Sequence, residues 1–208
     1  MGEQIIALST RLSSNKKEAV AFSKEKIAVL GVIIGLLEQA CDRSNDGLIL
    51  ISHSSKDVKY AEAIVQLLTN IGIPSSKIIC SSVSGTHIPL GEKIYPFLKD
   101  KFIGTDKLLY VVCLFSDNYF NSVPCLNEMG AAWVLSHNCS YMLLPGFNVA
   151  DVEGVPDKNE IMISLENFDK NKHLMNDLKN LLLAFFNLPE LNHTDWERHR
   201  DAFGATII

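Results

Sequence analysis

A chain of 208 residues, 47% of them hydrophobic and 21% charged, has the composition of a folded globular protein rather than a disordered or fibrous one. Its net charge of -5 argues against nucleic-acid binding, because proteins that neutralise phosphates carry basic surfaces. The five cysteines lack the spacing of a zinc site, so we expect free thiols, no bound metal and, with no leader peptide evident, a cytoplasmic location.

Residues 1–46 are predicted to form a helical extension that precedes a main domain over 47–208. Between Lys16 and Ala40 there is no proline, and apolar residues recur at nearly helical spacing. The most apolar stretch, 27–37, is shorter than the roughly 20 residues of a membrane helix. We therefore expect no membrane span here.

From Leu48 onward, short apolar runs alternate with amphipathic segments, which is typical of a parallel sheet with helices on both faces. The predicted strands are Leu48–Ile51, Lys77–Cys80, Lys107–Phe115, Tyr141–Leu144 and Ile161–Ile163. The predicted helices are Val58–Asn70, Leu90–Asp100 with Pro96 inside it, Pro124–Ser136 and Leu174–Phe186, followed from Leu188 by a tail that contains Trp196. Ligands of such α/β sheets bind beyond the carboxyl ends of the strands, so the loops after the first three strands should meet.

Those loops carry motifs in a specific order. Residues 51–57, Ile-Ser-His-Ser-Ser-Lys-Asp, resemble the opening motif of TIR (Toll/interleukin-1 receptor) domains. Residues 81–91 resemble the family's loop after the second strand, which borders the nucleotide pocket and takes part in assembly. Residues 116–122 and 125–133 resemble the block that holds the catalytic glutamate, which falls here on Glu128. The resemblance covers about 48–166.

The resemblance implies a flavodoxin-like TIR fold with a central parallel five-stranded sheet. Bacterial members of the family are NAD+ glycohydrolases or make cyclic ADP-ribose variants, often in antiphage defence. It therefore implies NAD+ as a substrate rather than a cofactor, self-association through TIR surfaces, and an effector or sensor protein as a partner. Two alternatives stay open: a non-enzymatic TIR scaffold, and a hydrolase similar to nucleoside 2-deoxyribosyltransferases.

The chemistry needs only one carboxylate. Nicotinamide leaves a cationic pyridinium as a neutral molecule, so no general acid is required, and the difficulty is the positive charge that develops on the ribose. A fixed carboxylate can stabilise that charge. Glu128 lies in the first turns of the predicted helix, where an acidic residue can also serve merely to complement the helix dipole.

Polar, glycine and aromatic residues of the three loops are the candidate contacts for NAD+. They are Ser52, His53, Ser54, Asp57, Ser82, Ser84, Gly85, Phe115, Ser116 and Tyr119. For Ser54 helix capping is an equal possibility, and for Tyr119 packing is. One departure from the family concerns Pro124, because many TIR enzymes have a tryptophan four residues before the glutamate. Trp133 follows Glu128 and cannot simply be assumed to replace that tryptophan.

Overall fold

The computed structural model of the chain describes residues 47–83, 85, 109–135 and 138–207. The predicted helical extension over 1–46 and the predicted helix Leu90–Asp100 lie outside the described residues. Both stay predictions.

Within the described ranges, five parallel strands form one sheet in the order β2-β1-β3-β4-β5. The strands are β1 (Leu48–Ser52), β2 (Ile78–Ile79), β3 (Leu109–Phe115), β4 (Asn138–Leu143) and β5 (Ile163–Ser164). This is the strand order of flavodoxin-like proteins. The predicted α/β class with a central parallel five-stranded sheet is thus confirmed, with strand ends displaced by up to three residues.

The helices of the described ranges are α1 (Val58–Asn70), α2 (Asp117–Phe120), α3 (Val123–Leu135), α4 (Lys172–Phe185) and α5 (His193–Ile207). Helix α1 buries Ala61, Ile64 and Leu68, which recur at helical spacing. It ends before Gly72, whose φ of 98° is a left-handed conformation that glycine adopts without strain. None of these described helices is long and apolar enough to cross a membrane.

Both faces of the sheet are covered, because alternate strand residues point to opposite sides. Ile49 and Ile51 of β1 pack in one core with buried residues of α1, α4 and α5. Leu48 and Leu50 pack in a second core with buried residues of α2 and α3. A strand buried on both sides explains the uninterrupted apolar sequence of β1.

The region after Leu188 was predicted as a tail, and this prediction was wrong for residues 193–207, which form α5. Its buried residues Trp196, Arg200, Phe203 and Ile207 recur at intervals of three and four, so they form one face of the helix. An arginine within that face obscured the apolar pattern. Arg200 is 7% exposed, and its guanidinium donates to Asp201, Asn176 and Glu197.

The topological switch point of the sheet is at β1, because β2 pairs with one side of β1 and β3 pairs with the other side. Ser52, the last residue of β1, is opposite Cys113, so β3 runs two residues further to Phe115. Ligand sites of open α/β sheets lie at such a switch point, beyond the carboxyl ends of the strands. The loops after β1 and β3 meet there.

Candidate functional site

Glu128 comes from the second turn of α3. Ser122 caps the amino-terminal end of this helix, since its Oγ accepts from Cys125 N at 3.5 Å and its carbonyl oxygen accepts from Leu126 N at 3.1 Å. The Glu128 side chain is half-buried, and its Oε2 accepts a 3.0 Å hydrogen bond from Ser52 Oγ. The predicted catalytic glutamate thus lies at the carboxyl end of β1.

Burial raises the pKa of the Glu128 carboxyl, because the charged form loses hydration, and the hydrogen bond from Ser52 lowers the pKa in part. Among the residues that the structure describes, no lysine, arginine or histidine forms an ion pair with Glu128. Its negative charge is therefore held by a hydroxyl rather than by a cation.

Tyr119 and Phe115 lie behind Glu128, inside the protein. Tyr119 OH is 3.0 Å from Ser52 Oγ and 3.3 Å from the carbonyl oxygen of Cys125. The Phe115 ring packs edge-on against the Tyr119 ring and is stacked on Tyr141, in each case with ring centroids 5.1 Å apart. Tyr119 and Phe115 both have 0% exposure. Their rings, predicted to frame a base of NAD+, are instead part of the core.

Asp57 joins the loops after β1 and β3. Its Oδ2 accepts from Ser116 Oγ at 2.5 Å, and its Oδ1 accepts from Asn118 Nδ2 at 2.8 Å. Ser116 Oγ also accepts from Tyr119 N, which caps α2. The Ser54 carbonyl oxygen accepts from Asp57 N at 2.8 Å, and the Ser54 side chain makes no capping bond. Asn118 was not singled out in the sequence, although it lies within the Ser-Asp-Asn-Tyr loop.

His53 joins β1 to the loop after β2. Its Nδ1 lies 3.1 Å from the Ile51 carbonyl oxygen, and its Nε2 lies 2.7 Å from Ser82 Oγ. Cys80 Sγ is 3.9 Å from Nδ1. Burial lowers the pKa of the imidazole, against the raising effects of the bond to Ile51 and of the negative charge of Asp57. The histidine is therefore a structural link between two loops in its neutral form.

The predicted contacts divide by accessibility. Ser52, His53, Ser54, Asp57 and Ser116 are buried, and the side chains of Ser52, His53, Asp57 and Ser116 are hydrogen-bonded to other groups of the protein. Ser82 and Gly85 are exposed, and Gly85 has a φ of 86° with open space where a Cβ would be. Ser84 lies outside the described residues. The exposed members of the set therefore come from the loop after β2.

Pro124 and Trp133 both face solvent. Pro124 is exposed in the first turn of α3, where proline is well tolerated because its missing N–H has no partner in the helix. Trp133, near the other end of α3, is 60% exposed. Neither ring is buried beside the Glu128 carboxylate.

Two of the cavities that described residues line lie away from the residues named above around Glu128. One, of about 370 Å³, lies between α1 and α5, and the other, of about 260 Å³, lies between α4 and the β4–β5 edge. Within the part of the chain that the structure describes, no group of three or more metal-ligating residues comes together.

These features define an open α/β domain of the flavodoxin-like class, with a half-buried carboxylate at the carboxyl ends of its central strands. Over 166 residues the chain is 42% identical to the Uncharacterized protein YddK of Bacillus subtilis (strain 168). That alignment covers 80% of this chain, and the chain spans only 59% of the length of YddK. No protein-family model matches the chain, and no solved structure matches it.

Proposed function

We propose that this chain cleaves the bond between nicotinamide and ribose in NAD+, with Glu128 as the essential carboxylate. The observation that carries the proposal is the setting of Glu128. It is half-buried at the carboxyl end of β1, is held by Ser52, and has no cationic partner among the described residues. In its ionised form, a carboxylate with no cation beside it is available to attract a positive group that arrives.

The reaction supplies such a group. As the neutral nicotinamide departs, positive charge develops at the anomeric carbon of the ribose, and a carboxylate fixed nearby stabilises that charge in the transition state more than in the ground state. Partial burial strengthens this attraction, because the effective dielectric constant is lower than in water. The resemblance of 48–166 to TIR domains adds support, and it suggests antiphage defence as the biological setting.

The exposure of Ser82 and Gly85 supports a proposal for how NAD+ approaches Glu128. They belong to the loop after β2, which His53 ties to β1. Backbone N–H groups in loops of this kind suit the phosphates of a dinucleotide. We therefore propose that Ser82 and Gly85 lie beside the pyrophosphate while the ribose reaches Glu128.

The test is to incubate the purified full chain with NAD+ and to identify the products by chromatography and mass spectrometry. Glu128→Gln keeps the shape of the side chain and removes its charge. The matched control is Glu190→Gln, a change at an exposed glutamate between α4 and α5. A parallel incubation with deoxynucleosides tests the alternative of a deoxyribosyltransferase-like hydrolase.

We expect nicotinamide release by the wild type and by Glu190→Gln, and a loss of at least about 100-fold in Glu128→Gln, the usual effect of removing a preorganised electrostatic group. Equal turnover in the wild type and Glu128→Gln would exclude Glu128 from the mechanism. The mass of the product, ADP-ribose or a cyclic variant, distinguishes hydrolysis from cyclisation.

A second candidate function is a scaffold that acts through assembly of its own copies or with an effector or sensor protein. The exposed apolar residues of α3 favour it: Val123 is 69% exposed, Trp133 60% and Val134 67%. Apolar residues grouped on one surface helix are typical of interaction surfaces. Sedimentation of the wild type and of Trp133→Glu tests this candidate, which requires a self-associating wild type and a variant that remains monomeric.

A further inference from the structure

Three hydroxyl and carboxyl groups from separate elements form a chain of hydrogen bonds at the site. Tyr119 of α2, Ser52 of β1 and Glu128 of α3 are joined by two contacts of 3.0 Å, from Tyr119 OH to Ser52 Oγ and from Ser52 Oγ to Glu128 Oε2. Ser52 is 1% exposed and Tyr119 has no exposed surface. A substrate that reaches Glu128 therefore does not contact the Tyr119 phenol.

Counting protons gives the direction of these bonds. An ionised carboxylate can only accept, so the single hydroxyl proton of Ser52 is used on Glu128. Ser52 Oγ then accepts from Tyr119, whose proton lies between Ser52 Oγ and the Cys125 carbonyl oxygen, 3.3 Å away. Burial keeps the pKa of Tyr119 far above its ordinary value, so the phenol retains that proton. The chain thus runs from Tyr119 through Ser52 to Glu128.

We propose that Ser52 and Tyr119 are positioning residues, which hold the Glu128 carboxylate ionised and in one orientation, rather than contacts for the substrate. This inference rests on the proposed function for its effect on turnover. Its physical basis is that a hydrogen bond to the charged form of an acid favours that form, and thereby opposes the effect of burial on Glu128. Tyr119 polarises the Ser52 hydroxyl and fixes its rotation.

The packing around Tyr119 shows why its hydroxyl can act as a fixed anchor. Its ring contacts Phe115 and Phe120 with centroids 5.1 and 5.6 Å away, and its backbone N–H donates to Ser116 Oγ. A phenol held on several sides has one orientation available. Phe115 was predicted as a contact for NAD+. In the structure it packs against Tyr119 and so supports the Glu128 carboxylate indirectly, through Tyr119 and Ser52.

The experiment compares Ser52→Ala and Tyr119→Phe with controls that break a similar pair elsewhere. Tyr110 OH and Ser140 Oγ are 2.7 Å apart, and they join β3 to β4 away from Glu128. Tyr110→Phe and Ser140→Ala therefore remove the same kinds of group without touching the carboxylate. Titration of the Glu128 side-chain carboxyl, followed by carbon NMR, is measured in the full chain beside the pH profile of nicotinamide release.

We expect the pKa of Glu128 to rise in Ser52→Ala and, by less, in Tyr119→Phe, and to stay unchanged in both controls. The acidic limb of the activity profile should move to higher pH with it. Loss of a hydrogen bond to a charged group should lower kcat about tenfold or more in Ser52→Ala, with KM nearly constant, because the substrate does not touch Ser52.

An unchanged Glu128 titration in Ser52→Ala would overturn the inference, whatever the activity. If the titration shifts as expected but no variant or wild-type protein releases nicotinamide, the positioning of the carboxylate is supported and NAD+ cleavage is rejected. Tyr119→Phe is close in shape to the wild type, so it provides the same test should Ser52→Ala fail to fold.

Discussion

Ser116 donates a 2.5 Å hydrogen bond to Asp57 across 59 positions of the sequence. Asp57 lies in the turn that precedes α1, and Ser116 lies between β3 and α2. Asn118 donates to the other oxygen of the same carboxylate at 2.8 Å. One buried carboxylate therefore fixes the distance between the loop that follows Ser52 of β1 and the loop that leads to Tyr119 of α2.

Replacing Asp57 should destabilise the protein markedly. In Asp57→Ala, the hydroxyl of Ser116 and the amide of Asn118 lose a charged acceptor, and such losses cost about 1.5–3 kcal/mol each. We expect a decrease of about 3 kcal/mol in the free energy of unfolding, measured with urea. Asp117→Ala, at an exposed neighbour, should change it by less than about 0.5 kcal/mol. Equal values for the two variants would show that the bonds to Asp57 contribute nothing.

A second prediction concerns the attachment of α5 to α4. Asn176 Oδ1 accepts from Trp196 Nε1 at 2.7 Å and from the buried Arg200 at 3.1 Å. Asn176→Ala leaves both donors without this acceptor, at a cost of about 2 kcal/mol. Urea unfolding checks this, with Asn180→Ala, at an exposed position of α4, as the control. A difference within error between the two variants would mean that water replaces the amide at no cost.

The sequence predicted those parts of the fold that depend on local pattern. The apolar run at the first strand and the spacing of Ala61, Ile64 and Leu68 led directly to β1 and α1, because burial repeats with the period of each element. The sequence did not predict helix α5, because its buried face includes Arg200, a charged residue at a position where the helical pattern requires an apolar one. One of the acceptors that accompany its burial, Asn176, belongs to α4 and is not part of the local pattern.

The sequence predicted that three residues of the candidate site lie close together, but it did not predict which side chains contact one another. The order of motifs predicted that Ser52, Tyr119 and Glu128 lie in one region, and the structure brings them into contact. Which groups face a ligand and which face each other depends on rotations of side chains about the ends of β1 and β3. These rotations are fixed by contacts such as Ser116 with Asp57, which no local pattern encodes.

The charge of Glu128 should lower stability while it serves function. Burial raises the pKa of its carboxyl in the folded state, so the neutral form is favoured and the folded state loses stability as pH rises through that pKa. Glu128→Gln should therefore have a higher Tm than the wild type near neutral pH. The difference should shrink toward zero below the ordinary pKa of glutamate, about 4.3. Thermal unfolding across pH, with Glu190→Gln as control, tests this, and a lower Tm for Glu128→Gln at neutral pH would contradict it.

His53 offers a test of the link between β1 and the loop after β2. The Ile51 carbonyl oxygen can only accept, so Nδ1 carries the proton of the neutral ring and Nε2 accepts from Ser82 Oγ. Burial lowers the pKa of this imidazole, and the folded state is therefore expected to lose stability as pH falls from the ordinary histidine value through the folded pKa. Among the described residues, the titratable side chains near His53 include Asp57, Cys80 and Cys125, the last of which contacts the His53 carbonyl oxygen.

Ser82→Ala removes a donor that favours the neutral ring, so it should raise the pKa of His53. Nitrogen NMR of the imidazole measures both this titration and the tautomer, which should be the form protonated at Nδ1 in the wild type. Ser81→Ala, at an exposed neighbour, should leave both unchanged. With the donor gone, backbone amides at 81–83 should exchange faster, because the hydrogen bond that fastens the loop is lost. If the ring is protonated at Nε2, or if the pKa of His53 is the same in Ser82→Ala as in the wild type, the hydrogen bond between His53 and Ser82 does not form in solution.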